Sequence, residues 1–186
     1  REWTSLVESK SGERGIFNRI AAQKQAKKYG RRDASYEFGT NPCSEIILRP
    51  YQFCNLTEVV VRADDTPATI ANKVELATIM GTIQSTFTNF PYLRKIWKTN
   101  TEEERLLGVS LTGIMDCKWT NGRGEEGFHL SEFLERIRKR AVETNRIWSN
   151  LLGISESKAI TCVKPSGTVS QLVDSSSGIH ARHSPY

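Results

Sequence analysis

The sequence predicts an α/β fold, and three observations support this prediction. Short runs rich in β-branched and apolar residues are typical of buried strands. Two long segments carry apolar residues at helical spacing. Strand-like and helix-like segments also alternate along the chain, which is the pattern of helices packed against a sheet. With 186 residues, the chain is long enough for one domain with a hydrophobic core.

The first half of the chain predicts one strand and one long helix. Residues 53–61 end in a continuous valine run that indicates a buried strand. An acidic and hydroxyl cap followed by Pro67 predicts a helix start, and helical spacing extends this helix to about Phe90. Its apolar residues fall into one set of Ile70, Val74, Ala77 and Gly81, and a second set of Leu76, Met80, Ile83 and Phe87.

The second half predicts a charged helix, a buried strand and a second long helix. Residues 101–104 form an acidic first turn that suits the helix dipole. Residues 106–115 are small and apolar, as in a strand with close neighbours. Ser131 is predicted to cap the long helix, and Gly153 is predicted to end it.

A short strand, a glycine turn and a helix start follow one another between residues 158 and 171. Free N–H groups at a helix N-terminus point outward and the dipole favours an anion, so this arrangement can bind a phosphate. Thr168 and Ser170 can add hydroxyl donors. An ordinary helix cap has the same pattern, and the turn alone does not distinguish the two.

Composition narrows the class of protein. Hydrophobic residues make up 38% and charged residues 25%, as in soluble globular proteins. No apolar run approaches the roughly 20 residues that cross a bilayer, and the first residues lack the apolar region of a signal peptide. We therefore expect a cytoplasmic protein. Because the chain begins with Arg1 and ends at Tyr186 directly after a cluster of Arg and His, we also expect a fragment.

Much of the net charge of +5 lies in residues 23–32. Such a run can contact nucleic acid or nucleotide phosphates, although a solvated helix face or a linker is the commoner explanation. Binding of RNA would need aromatic platforms for the bases, and this run offers only Tyr29. We therefore expect no direct binding of nucleic acid.

The four cysteines are widely spaced and show no CxxC or Cys/His zinc pattern. In a cytosolic chain they are expected to be reduced rather than to form a disulfide framework. Neither a metal site nor a disulfide scaffold is predicted. The four are Cys43, Cys54, Cys117 and Cys162.

The loop around Cys43 combines three kinds of chemistry. Gly39 permits a tight bend, and Pro42 biases the residue before it toward an extended backbone. In an extended loop, Asn41, Cys43 and Glu45 share one face, so that an amide, a thiol and a carboxylate point into the same space. A buried structural cysteine beside a salt-bridged glutamate is the alternative, and the residue types leave it open. None of the three histidines lies in a local Cys/His hydrolase signature, so another cysteine chemistry is indicated.

Residues 41–46 (Asn-Pro-Cys-Ser-Glu-Ile) resemble the finger-loop motif of ribonucleotide reductases. The spacing from there to residues 53–58 resembles the adenosylcobalamin-dependent class II enzymes, particularly the monomeric ribonucleoside-triphosphate reductases. Residues 11–19, 165–170 and 176–179 also resemble this family, so the resemblance spans almost the whole chain.

The resemblance implies a fragment of a single catalytic domain, a ten-stranded α/β barrel with the finger loop through its centre. The finger loop would cover about residues 37–48, and a phosphate-binding turn about residues 164–171. The implied reaction converts ribonucleoside triphosphates to 2′-deoxyribonucleotides for DNA synthesis, with a cysteine thiyl radical that is generated with adenosylcobalamin.

The resemblance also implies roles for single residues. Cys43 would remove a hydrogen atom from the ribose 3′ carbon, Glu45 would take the proton of the 3′-OH, and Asn41 would hold the hydroxyl groups. Cys54 would be one of two cysteines that close to a redox-active disulfide. By the same resemblance its partner comes from a strand upstream of this fragment, and residues 1–42 contain no cysteine that could take its place.

The implied substrate-phosphate site is the turn after residue 164. Its donors would be the backbone N–H groups of Gly167, Thr168 and Val169 with the Ser170 hydroxyl, and Ser166 belongs to the same turn. The implied partners are thioredoxin or a similar dithiol, through cysteines beyond the end of this chain, and deoxynucleotide effectors that bind outside it. Cys117 and Cys162 match no redox position and are predicted to be small buried apolar residues.

Two other functions remain as alternatives. The first is the large subunit of a class I ribonucleotide reductase. Within the resemblance, two features argue against it, namely Pro42 and the short interval from Cys43 to Cys54. The second is a catalytically dead nucleotide-binding module. The joint presence of Asn41, Cys43, Glu45 and Cys54 speaks against the second alternative.

Overall fold

The computed structural model describes residues 1–11 and 15–182, and it alternates helices with short strands. Residues 12–14, within the motif at 11–19, and residues 183–186 lie outside the described part. In chain order the elements are α1 (Glu2–Ser9), α2 (Arg19–Lys27), β1 (Gly39–Thr40), β2 (Ile47–Leu48), β3 (Asn55–Val60), α3 (Pro67–Gln84), α4 (Lys95–Glu104), β4 (Leu107–Thr112), a 3₁₀ helix (Ile114–Asp116), α5 (Leu130–Leu152) and α6 (Thr168–Leu172).

Parallel strand pairing forms the centre of the fold. β3 and β4 pair in parallel, with Asn55 beside Leu107 and Val60 beside Thr112. The strand predicted at residues 158–163 does not form; this segment makes an isolated parallel bridge, from Thr161 to Val109 on the other edge of β4. The predicted α/β class and the two longer predicted strands are confirmed.

α3 packs against both strands of this sheet and α5 packs against α3, and side chains of both helices share one core with Val59, Val61 and Val109. The first apolar set of α3 is buried, whereas the second set is exposed. α3 ends at Gln84 rather than near Phe90, because the hydroxyls of Ser85 and Thr86 donate to the carbonyls of Thr82 and Ile83, both at 2.7 Å. The core comprises Val59, Val61, Ile70, Val74, Ala77, Leu107, Val109, Cys117, Phe133, Ile137, Ala141 and Ile160. Across residues 1–11 and 15–182, every helix is too short or too polar to cross a membrane.

Two predicted helix starts are wrong. Residues 101–104 end α4 instead of beginning a helix, although acidic side chains are unfavourable at the negative end of the helix dipole. A buried contact between Glu104 and Arg32 overrides this local preference. α5 begins at Leu130 with His129 as its N-cap, so Ser131 lies inside the first turn, while Gly153 ends the helix in the left-handed conformation as predicted.

A buried ion-pair network joins the basic run to α4. Arg32 donates from Nε and Nη2 to the two carboxylate oxygens of Glu104, at 2.8 and 2.7 Å. Arg49 lies 3.2 Å from the same carboxylate, and Gln52 donates to it at 2.6 Å. The Nη1 of Arg32 also donates to the Ile47 carbonyl at 2.8 Å. The interpretation of the basic run as a solvated face is therefore wrong for Arg32, which fixes the β1–β2 hairpin against α4.

Gly113 lies directly after β4, where a side chain has no room. Its φ is +75°, and a Cβ there would lie 2.3 Å from the Val61 carbonyl oxygen. We expect Gly113→Ala to lower the free energy of unfolding by about 2–3 kcal/mol, from left-handed strain plus overpacking. The matched control is Gly122→Ala, because Gly122 has φ +83° and nothing within 4 Å. Denaturant unfolding that gives equal losses for the two variants would contradict the steric account.

Candidate active site

The predicted finger loop is the connection of a small antiparallel hairpin. β1 and β2 pair with Gly39 beside Leu48 and Thr40 beside Ile47. The connecting residues fold into a turn, in which the Ser44 N–H donates to the Asn41 carbonyl at 3.0 Å. The Asn41 side chain closes the loop, because its Oδ1 accepts the Ile46 N–H at 3.0 Å.

This turn contradicts the extended loop that Pro42 predicted. Ser44 has a φ of +62°, so the two-residue alternation of side chains is interrupted between Cys43 and Glu45. Asn41 is half-buried, Cys43 is exposed at the tip, and the Glu45 carboxylate is buried. The Asn41 amide oxygen is engaged by the loop, which leaves its NH₂ group to reach a ligand.

Glu45 contacts the segment that leads into the predicted phosphate turn. Its Oε1 lies 3.5 Å from the Nζ of Lys164, and the two side chains are 1% and 24% exposed. Among the described residues, neither Glu45 oxygen accepts a hydrogen bond. The structure therefore brings together two predicted site segments that are distant in sequence.

Two thiols, those of Cys54 and Cys162, lie close enough to Glu45 for its charge to affect their pKa values. Burial raises the pKa of Cys54, the Glu45 carboxylate adds to the rise, and Lys164 opposes it. Burial, Glu45 and Cys54 together raise the pKa of Cys162 to about 12. Both thiols are therefore protonated at neutral pH, which disfavours nucleophilic chemistry at these positions. Cys162 was predicted to be a small apolar residue and instead belongs to this polar cluster, whereas Cys117 is fully buried in the core as predicted.

The predicted phosphate turn forms a short helix start. Gly167 precedes α6, and Gly167, Thr168 and Val169 are exposed. The Ser170 hydroxyl is buried and donates within the turn, 2.5 Å from the Ser166 carbonyl and 2.8 Å from the Gly167 carbonyl. In this conformation the Ser170 proton is not available to a phosphate. Phosphate binding by the other donors stays a prediction.

Ser166 has a different orientation from the exposed residues of the turn. Its side chain is fully buried, and among the described residues its Oγ has no hydrogen-bond partner. Its carbonyl accepts hydrogen bonds from the hydroxyls of Ser170 and Ser177. Ser166 therefore anchors the turn to the loop that follows it.

Sequence reasoning gave no catalytic or binding role to three polar residues around this site. Lys164 contacts Glu45, and Cys162 lies in the same cluster. Glu58 lies in register with Ser110, and both its carboxylate oxygens are buried without a hydrogen-bond partner in the described ranges. The sequence did carry a signal for Glu58, because a charged residue within a valine-rich strand is buried at a high cost unless it has a function or a partner. A group of three or more His, Cys, Asp or Glu side chains that could hold a metal is absent from residues 1–11 and 15–182.

The sequence is similar to curated enzymes of one kind. The adenosylcobalamin-dependent ribonucleoside-triphosphate reductase of Levilactobacillus brevis is 30% identical over 203 residues, which cover 95% of this chain and 26% of that protein. The enzyme of the same name from Lactobacillus leichmannii is 29% identical over 204 residues, covering 95% and 27%. The one from Lacticaseibacillus paracasei is 27% identical over 208 residues, covering 98% and 27%. No family model matches the chain.

The fold is similar to a solved structure of the same kind. The crystal structure of a B-12-dependent (class II) ribonucleotide reductase superposes with a TM-score of 0.60 and 26% identity, covering 78% of this chain and 23% of that one. The predicted resemblance to the class II enzymes is confirmed by these similarities. The chain spans about a quarter of the length of the curated relatives it matches.

Proposed function

We propose that this chain is the part of an adenosylcobalamin-dependent ribonucleoside-triphosphate reductase that carries the radical cysteine and the substrate-phosphate turn. The contact between Glu45 and Lys164 is the observation that carries this proposal. This contact between Glu45 and Lys164 supports the proposal, because one nucleotide could then reach both the proposed acid and the proposed phosphate turn. Similarity along 95% of the chain supports the same reaction.

In this proposal, Cys43 is the hydrogen-atom acceptor. Adenosylcobalamin, when bound, supplies the organic radical that turns a thiol into a thiyl radical. Cys43 fits that role because it lies exposed at the tip of a turn, where a large group can approach its sulfur. None of the described residues is assigned to hold the cobalamin. The thiyl sulfur then takes the hydrogen atom from the ribose 3′ carbon and returns it to that carbon once the 2′ position is reduced, since the S–H and C–H bonds are of comparable strength.

The side chains near Cys43 transfer the proton and bind the hydroxyl groups of the ribose. Glu45 takes the proton of the 3′-OH and later returns it, while the 2′-OH gains a proton from the pair of redox thiols and leaves as water. The NH₂ group of Asn41 donates to the hydroxyls and does not titrate. Cys54 and a cysteine outside this chain supply two electrons and two protons and close to a disulfide. Thioredoxin or a similar dithiol reduces that disulfide, which restores both thiols.

The wider setting is also a proposal. The parallel strands would be part of the ten-stranded barrel, the hairpin would be the loop at its centre, and deoxynucleotide effectors would bind elsewhere in the protein. The phosphate would bind to the backbone N–H groups of Gly167, Thr168 and Val169. We place the reaction in the cytoplasm, because it needs reduced thiols and all four cysteines are free.

The test is an assay of the full-length protein. Incubation with adenosylcobalamin, a ribonucleoside triphosphate and a dithiol should yield the deoxynucleotide, and omission of the cobalamin should abolish it. Residues 1–186 alone should yield none, because the second redox cysteine is missing. Turnover with iron and without cobalamin would favour a class I enzyme. Nucleotide binding without turnover under every condition would favour an inactive nucleotide-binding module.

A further inference from the structure

We propose that Lys164 is a positioning residue, which holds the charged form of Glu45 in its buried site so that Glu45 can act as the base. This inference rests on the proposed function of Glu45. It assigns to Lys164 a role in the proton transfer rather than in phosphate binding. The contact itself is an ion pair between Nζ and Oε1 at 3.5 Å.

Burial makes a partner necessary for this carboxylate. The Glu45 side chain is 1% exposed, and a buried charge is strongly unfavourable unless it is paired or hydrogen-bonded. Within the described residues, no donor forms a hydrogen bond to either oxygen. Lys164 is thus the group that offsets the loss of water around the charge.

The backbone on both sides fixes Lys164. Its N–H donates to the Ser110 Oγ at 2.9 Å, and the Cys162 N–H donates to the Val109 carbonyl at 3.1 Å. Pro165 follows and restricts the chain further. The lysine stem therefore extends from a fixed point at the edge of β4, and its length suits contact with the finger loop.

The other charged and titratable groups near Glu45 do not replace Lys164. Cys54 and Cys162 are thiols with raised pKa values and carry no positive charge. Across the described residues, Lys164 is the one cation within 4.0 Å of Glu45. Four further cations line a cavity of about 210 Å³ that Glu45 also borders, namely Arg31, Arg32, Arg138 and Lys158. Two of these are already paired, Arg32 with Glu104 and Arg138 with Glu135.

The test replaces Lys164 in the full-length protein. We expect Lys164→Met to lower kcat about 10- to 100-fold at neutral pH and to change KM little, because the base is lost but substrate contacts remain. The acidic limb of the kcat profile should move to higher pH. Lys164→Arg should restore most of the rate, since a cation returns. Lys95→Met is the control, because Lys95 is an exposed lysine at the start of α4 and does not line the cavity that Glu45 borders.

A second readout does not depend on turnover. Difference infrared spectroscopy, with Glu45→Gln as the reference, should show a carboxylate band in the wild type and a carboxylic acid band in Lys164→Met at the same pH. An unchanged carboxylate band with an unchanged pH profile would overturn the proposal. So would a rise in KM at constant kcat, which would make Lys164 a phosphate ligand. A wild type that shows the carboxylate band but forms no deoxynucleotide would reject the proposed function instead.

Discussion

Replacing Cys43 by Ala should abolish deoxynucleotide formation by the full-length protein while leaving its fold and nucleotide binding intact. Cys43 lies exposed at the tip of a turn, outside the hydrophobic core, so that loss of its sulfur removes little packing. No other atom of that side chain could carry the radical. We expect a loss of roughly 10⁴-fold or more, as when a reacting group is removed from other enzymes.

The measurement pairs a turnover assay with a nucleotide-binding assay. Ser44→Gly is the matched control, because Ser44 is the next residue of the same turn and its φ of +62° suits glycine. We expect the turnover rate of Ser44→Gly to stay within about threefold of the wild-type rate, since the substitution relieves backbone strain and leaves the Cys43 thiol unchanged. Clear turnover by Cys43→Ala would exclude the thiyl mechanism. Joint loss of turnover and binding would instead indicate that the loop had misfolded.

Replacing Glu104 by Gln should lower the free energy of unfolding by about 3 kcal/mol or more. The substitution keeps the size of the side chain and removes its charge. The Arg32 side chain is 4% exposed and that of Arg49 is 7% exposed, and both pair with Glu104. Each guanidinium would lose its buried counter-charge, and such uncompensated charges are far more costly than lost surface pairs.

The control for this effect lies next to it on α4. Glu103 also pairs with Arg49, at 2.7 Å, but its side chain is 51% exposed. We therefore expect Glu103→Gln to cost less than about 1 kcal/mol in the same urea titration, as for other exposed pairs. A Glu104→Gln protein within about 1 kcal/mol of the wild type would show that water compensates the two arginines. The hairpin should loosen in this variant, because Arg32 also holds the Ile47 carbonyl.

The sequence predicted the elements that local patterns determine. β3, β4 and the start of α3 follow from apolar runs and from the cap before Pro67, and the structure has them where they were expected. The local sequence pattern gave a wrong prediction where a contact with another residue determines the backbone conformation. Glu104 ends a helix instead of beginning one because Arg32 neutralises it. Pro42 did not extend the loop because the Asn41 side chain captures the Ile46 N–H.

The candidate site was predictable only in part for the same reason. A motif resemblance pointed to Cys43 and Glu45, which lie close together in sequence. Lys164 and Cys162 reach Glu45 through parallel pairing along β4, and no local pattern specifies that approach. Whether Asn41, Cys43, Glu45 and Cys54 perform the proposed chemistry stays a prediction.

The outer side of α3 affects how the isolated chain must be handled. Leu76, Met80 and Ile83 are exposed on this helix, and a row of large apolar groups of this kind promotes self-association. Light scattering at several dilutions should therefore precede any unfolding titration of residues 1–186. Otherwise a concentration-dependent oligomer could be mistaken for intrinsic stability.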